Sequence, residues 1–257
     1  MENNEIGGVV FIDKPYGITS HYTSEIVKKI LNAKKAGHTG TLDPKVTGLL
    51  IVLVNKATRL AWLLGLDKSY VGIGKLHKDV SLKKLRENAK NFVGKIEQLP
   101  PRRSRVVRKI RQREVYEFKI IEKKGKFFLF RVKCQAGTYV RKLIHDFGQS
   151  IGGAHMLELR RIAIGPFKED LAITLYELQK KKEIIPIEKV FVKLYRKINL
   201  SKKEAKRFSN GAPIYIKKKR IKKLNEQFIL IFYKKNIIGV GKIFDNQIKP
   251  KIVLAKV

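Results

Sequence analysis

Apolar residues in this chain fall in short runs separated by polar, lysine-rich stretches, and the spacing within each run distinguishes strands from helices. Gly7–Asp13 (GGVVFID) is a continuous apolar run followed by the turn signal Pro15–Gly17, which predicts a short buried strand. SHYTSEIVKKIL then offers Ser20 as an N-cap and places Ile26, Val27, Ile30 and Leu31 on one helical face. A loop over residues 36–48 leads into the strand GLLIVLV, and a second strand is predicted over Ser69–Leu76. SLKKLRENAKNFVG reads as a helix with Leu82, Leu85, Phe92 and Val93 inward and Gly94 as its stop. Runs at Val115–Glu122 and Lys126–Cys134 flank KKGK and predict an antiparallel hairpin. GTYVRKLIHDFGQSIGG has Val140, Leu143, Ile144 and Phe147 at helical spacing, and LELRRIAI follows as a strand.

Strand and helix signals thus alternate irregularly, and the hairpin requires antiparallel pairing. The predicted class is mixed α+β with a largely antiparallel sheet, not a doubly wound sheet. Composition shifts near residue 180, where QKKKEIIPIEKV reads as a connection. Residues 193–257 then carry 19 Lys/Arg against 3 acids. They hold a short helix (Ser201–Phe208), the turn SNGAP, and β-like runs at Phe228–Tyr233, Ile237–Phe244 and Lys251–Ala255. Two domains are predicted, residues 1–185 and a small, basic, β-rich unit over 186–257.

Charge narrows the partner. The chain holds 57 Lys+Arg against 22 Asp+Glu, a net +35, and a field of that sign and size favours a polyanion such as nucleic acid. No amphipathic basic helix and no apolar run of about 20 residues supports a membrane reading. The single cysteine, Cys134, excludes a disulfide framework and any intrachain Cys₂ or Cys₄ zinc site. The polar, acidic start MENNEIGG does not read as a secretory signal, and a cytoplasmic location is expected.

Candidate chemistry centres on AGHTGTLDPKVTG, residues 36–48. Gly37, Gly40 and Gly48 permit tight turns and close approach of a ligand. Pro44 fixes its own φ and pushes Asp43 out of the helical region, so the loop is stiff at its one acid. On local pattern alone, an ordinary Asp-Pro turn is the plainer reading. Lys14 at the end of the first strand, Tyr70 inside the second, and Arg141 beside Tyr139 at a helix start also have ordinary structural readings.

Taken together, the segments GVVFIDKPYGITS, KAGHTGTLDPKVTG, SYVGIGKLHKD, QLPPRRSRV, AGTYVRKL and GGAHMLELRRIAIGPFKED closely resemble the TruB/dyskerin family of pseudouridine synthases. KLHKD, PPRRS, GAHM and GPFKED are similar to its archaeal and eukaryotic dyskerin-type branch. The resemblance implies a catalytic aspartate at Asp43, a tyrosine that stacks on the target uracil at Tyr70, and an arginine paired with the aspartate at Arg141. It also implies that His38 helps open the RNA and that Lys14, Pro15 and Tyr139 lie in motifs supporting the pocket. Leu159 corresponds to an apolar pocket wall, and Arg102, Arg103 and Arg105 to a basic loop over the RNA substrate. The basic C-terminal segment is similar to that family's PUA domain, a small β-rich RNA-binding fold.

Pseudouridine formation cleaves the bond between uracil and ribose, turns the base and rejoins it through carbon, so no group is added and no cofactor or metal is implied. The reaction wants an ionised carboxylate in a dry pocket; burial alone neutralises such a group, and an adjacent guanidinium opposes that. An Arg141→Ala change would then orphan a buried carboxylate, at about 3–5 kcal/mol. The resemblance implies the catalytic subunit of an H/ACA guide-RNA particle acting on rRNA or tRNA, with guide RNA and small accessory protein subunits as partners. Two other readings stay open: a stand-alone synthase for the tRNA T-loop uridine, and an idle RNA-binding assembly protein, against which the intact Asp43, Tyr70 and Arg141 set argues.

Overall fold

The computed structural model describes residues 7–100, 107–216 and 227–257. The chain begins with β1 (Gly8–Lys14), crosses through helix α1 (Ser20–Ile30), and returns as β2 (Ala36–Thr39) and β3 (Thr47–Val54). A 3₁₀ helix (Asn55–Leu64) leads to β4 (Lys68–Leu76), α2 (Leu82–Lys90), β5 (Gly94–Gln98) and the hairpin β6 (Arg111–Lys124) and β7 (Phe127–Cys134). Then come α3 (Val140–Gln149), β8 (Ala154–Ile164), β9 (Phe167–Lys168), α4 (Leu175–Lys181), β10 (Ile185–Pro186) and α5 (Ile187–Phe191). The remainder is β11 (Lys197–Asn199), α6 (Lys202–Ser209), β12 (Ile214–Tyr215), β13 (Phe228–Tyr233), β14 (Asn236–Phe244) and β15 (Gln247–Val253).

The first sheet runs β10-β1-β3-β8-β4-β7-β6-β5, with β2 added to β3 and β9 to β8. It is largely antiparallel, as predicted, but β3 and β8 meet in parallel over Thr47↔Arg160 and Gly48↔Arg161. A second, five-stranded sheet runs β11-β13-β14-β15-β12. The two sheets share one core: Val9, Phe11, Leu49 and Ile51 pack in the same cluster as Leu230, Phe232, Val240 and Ile252. Helix α5 contributes Ile187, Val190 and Phe191 to that cluster.

Three local expectations are corrected. Residues 36–39 are a strand and not loop, because Ala36 to Thr39 pair with Val54 to Ile51 and tertiary pairing overrides their weak strand propensity. Thr19, not Ser20, caps α1: its hydroxyl accepts the Tyr22 amide at 3.0 Å. Helix α2 stops at Lys90, leaving Val93 exposed, and Gly94 opens β5, whose pairing with β6 extends the sheet. The inner face expected for α3 is observed, with Val140, Leu143, Ile144 and Phe147 all buried.

Candidate active site

The segment after β1 clamps the loop that carries Asp43. Ser20 is buried within the first turn of α1, and its hydroxyl donates to the Leu42 carbonyl at 2.9 Å while accepting the Leu42 amide at 2.8 Å. On the other side of Asp43, the Pro44 carbonyl accepts the Gly17 amide at 2.9 Å and the Lys14 ammonium at 3.2 Å. Lys14 is fully buried, and its ammonium also donates to the carbonyls of Pro15 and Ile18, each at 2.7 Å. Three acceptors match its three donors, which makes burial of this cation tolerable. Burial lowers the Lys14 pKa, with the Asp43 charge opposing that shift and Arg161 reinforcing it.

Apolar neighbours fix the site residues relative to one another. Leu42 and Val46, on either side of Asp43, pack in one cluster with Tyr70, Val140 and Leu159. Arg141 follows Val140 at the start of α3, and its Nη2 meets the Asp43 carboxylate at 2.6 Å, 98 residues away in sequence. This contact is short and charge-assisted. The side chains of Arg141 and Asp43 are 61% and 54% exposed, so the pair faces solvent. The buried carboxylate expected from sequence is therefore not observed: the loop buries its leucine and valine and turns the aspartate outward.

Tyr70, by contrast, is only 6% exposed. Burial raises its hydroxyl pKa, and the nearby Arg161 cation opposes that rise. Arg161 is fully buried and lies directly across from Tyr70 in the β4–β8 pairing. A third buried cation, Lys68, donates to the Leu66 carbonyl and is held down to about 8, chiefly by burial and then by Arg161. Lys14, Lys68 and Arg161 thus form a buried cationic floor, while the Asp43–Arg141 pair lies at the surface.

His38, on β2, has Nδ1 3.0 Å from the Ser24 hydroxyl and Nε2 3.3 Å from the Thr41 hydroxyl. Burial, His21 and Arg161, in that order, lower its pKa. Tyr139 is the residue before α3, and Gln98 holds it through two bonds: its Nε2 donates to the Tyr139 carbonyl at 3.2 Å and its Oε1 accepts the Tyr139 amide at 2.9 Å. Pro15 is exposed at the end of β1, and Leu159 is buried on β8 opposite Gly72. Arg102, Arg103 and Arg105 lie outside the described residues. Sequence reasoning missed Ser20 as a loop clamp and missed Gln98, Lys68 and Arg161 altogether. Among the described residues, no group of three or more His, Cys, Asp or Glu is placed to hold a metal ion. Cys134 is a buried free thiol, which burial pushes up to about 11.

An exposed carboxylate gripped by a guanidinium, beside a buried phenol on a cationic floor, is suited to receiving a polyanion that lays one base against Tyr70. A solved structure described as a Cbf5-Nop10-Gar1 complex aligns with 99% of this chain and 86% of its counterpart, at a TM-score of 0.83 and 36% identity. An H/ACA RNP bound to a substrate RNA containing 2′-deoxyuridine aligns equally well, at TM-score 0.83 and 34% identity over 98% of this chain and 86% of that one. The family model for the N-terminal domain of TruB family pseudouridylate synthases matches residues 28–140, and that for the C-terminal domain of tRNA pseudouridylate synthase B matches residues 141–191. The architecture is that of the pseudouridine synthase family. The chain belongs to the TruB family of these enzymes. "Probable tRNA pseudouridine synthase B" of Thermoplasma volcanium is 49% identical over 180 residues, 69% of this chain and 51% of that protein. Its namesake in Pyrococcus furiosus is 52% identical over 174 residues, 66% of this chain and 51% of that protein. The chain thus spans about half the length of the curated relatives it matches.

Proposed function

We propose that this chain isomerises uridine to pseudouridine in RNA, acting on rRNA or tRNA as the catalytic subunit of an H/ACA guide-RNA particle. The observation that carries the catalytic part is the 2.6 Å contact between Asp43 and Arg141 beside the buried Tyr70. Tyr70 stacks on the extruded uracil, recovering about 1–3 kcal/mol of the cost of leaving the helix. Asp43 is the carboxylate that meets the ribose, as nucleophile at carbon 1′ or as base in an elimination route, and Arg141 holds it in register. The glycosidic bond breaks, the base turns, carbon 5 joins carbon 1′, the proton on carbon 5 leaves, and nitrogen 1 takes up a proton in its place.

The guide-particle role is favoured by the match to solved H/ACA proteins across nearly the whole chain, the C-terminal β-rich unit included. In this reading that unit is a PUA-type domain that binds guide RNA, the small accessory proteins dock on the catalytic unit, and the enzyme works in the cytoplasm. A second reading, a stand-alone tRNA synthase, is favoured by the names of the curated relatives. To separate them, the purified chain is incubated with a tRNA transcript, and with a guide–target pair plus accessory proteins, and pseudouridine is mapped in each. Product only with the guide supports the particle, and product in tRNA alone supports the second reading. Product in neither, or product that survives Asp43→Asn, overturns the assignment.

A further inference from the structure

We propose that Arg161 is a positioning residue for this reaction: its buried guanidinium, across the β4–β8 pairing from Tyr70, readies the phenol oxygen to take the proton leaving carbon 5 of the uracil. The proposal rests on the pseudouridine synthase reading above.

The geometry is specific. Arg161 is fully buried, and its Nε donates to the Leu49 carbonyl at 2.7 Å, yet among the described residues neither terminal nitrogen has an acceptor in hydrogen-bonding geometry. A buried, uncompensated guanidinium is costly and calls for an explanation. The Tyr70 phenol is the acidic group that acts on it. The two residues are cross-strand partners beside a β-bulge: Ser69 pairs with Ala163 and Tyr70 with Arg161, so Ile162 has no partner opposite it. Bulges re-aim side chains, and here the extra residue leaves Arg161 opposite Tyr70.

Arg161 also supports both ends of the Asp43 loop. Gly40, at φ +68°, packs so close that a Cβ there would lie 3.3 Å from Arg161 Nη1. Gly48, at φ +97°, sits on the Arg161 backbone, where a Cβ would lie 2.3 Å from its carbonyl oxygen. Arg161 therefore packs against both ends of the Asp43 loop and lies across the strand pair from Tyr70. Its charge opposes the upward shift that burial imposes on the phenol. In the step proposed, Tyr70 has first lost its proton to solvent. The carbon 5–hydrogen bond then breaks and its electron pair restores the carbon 5–carbon 6 double bond. The carbon 6–nitrogen 1 π pair moves onto nitrogen 1, which takes a proton from solvent, and the carbon 5 proton passes to the phenolate, regenerating neutral phenol.

The test is single-turnover kinetics on whichever RNA the wild type modifies, with protium or deuterium at carbon 5 of the target uridine. Arg161→Met is expected to slow product formation by about ten- to a hundredfold, within the range of general acid–base effects. It should also raise the primary isotope effect above the wild-type value, which a merely structural lesion would not do. Beside Tyr70→Phe, the Arg161→Met penalty should vanish; penalties that multiply, or an unchanged isotope effect, overturn the proposal. If Arg161→Met does not fold, the same cycle is run with Arg161→Lys, which keeps the charge but draws it back from the phenol. A lysine penalty that vanishes beside Tyr70→Phe upholds the role, and one that persists overturns it. A wild-type chain that makes no pseudouridine overturns the enzyme reading itself, a result distinct from every outcome of the cycle.

Discussion

The hydroxyl of Ser20 bonds both the carbonyl and the amide of Leu42, so the residue before Asp43 is fixed by a side chain from the start of α1. Ser20→Ala leaves two backbone groups of a buried residue without partners, a cost of about 1–3 kcal/mol. A lower melting temperature is expected, together with a single-turnover rate that falls more than RNA affinity does. An unchanged rate in a destabilised protein would show that Asp43 keeps its place without this clamp.

Arg141→Ala should separate activity from stability. Both partners of the ion pair are more than half exposed, and exposed pairs contribute roughly 0–1 kcal/mol. The melting temperature should therefore move little while the rate drops about a hundredfold, in keeping with a lost catalytic orientation. A loss of 3–5 kcal/mol in chemical denaturation would restore the buried-carboxylate picture that the sequence suggested.

Lys68 gives a pH-dependent stability signal. Its folded pKa, about 8, lies below the ordinary 10.5, so between these values the unfolded chain binds more protons and stability rises with pH. Relative to an uncharged side chain, the penalty is absent above about 10.5 and complete once pH falls below about 8. Lys68→Met should thus be more stable than the wild type at pH 7, by up to about 3 kcal/mol. That gap should close toward pH 10.5. Melting curves across this range check it, and a gap that stays constant would refute the burial effect.

Gln98→Ala removes both side-chain bonds to the Tyr139 backbone, two residues before Arg141. Each bond is worth about 1 kcal/mol, so modest destabilisation is expected. The rate should fall while the Kd for RNA holds. Equal losses in Kd and rate would instead point to a general defect of the RNA-binding face.

Much of the fold was legible because the strands and α3 declare themselves by apolar spacing, as Val140, Leu143, Ile144 and Phe147 do. Asp43, Tyr70 and Arg141 were visible as residues, but local pattern could not join them, since 98 positions separate the two ends of one ion pair. The supporting residues were harder to see. Ser20 resembles a helix cap in sequence, and only the folded chain shows that Thr19 caps while Ser20 holds the loop. Arg161 did leave a trace: alternation in LELRR puts it on the same strand face as the buried Leu159. A charged residue at an inward strand position was the signal to follow. Strand β2 left none, because its glycine and histidine pair only where β3 offers an open edge.

The cluster shared by the two sheets has a thermodynamic consequence. Leu230 and Phe232 of the basic unit lie in the same packed interior as Leu49 and Ile51 of β3, the strand into which the Asp43 loop runs. Cavities opened in either sheet would relax into the same volume. Core substitutions on opposite sides should therefore couple energetically, and their stability effects should fail to add. The loop that carries Asp43 would then register changes made far away in the C-terminal β-rich unit.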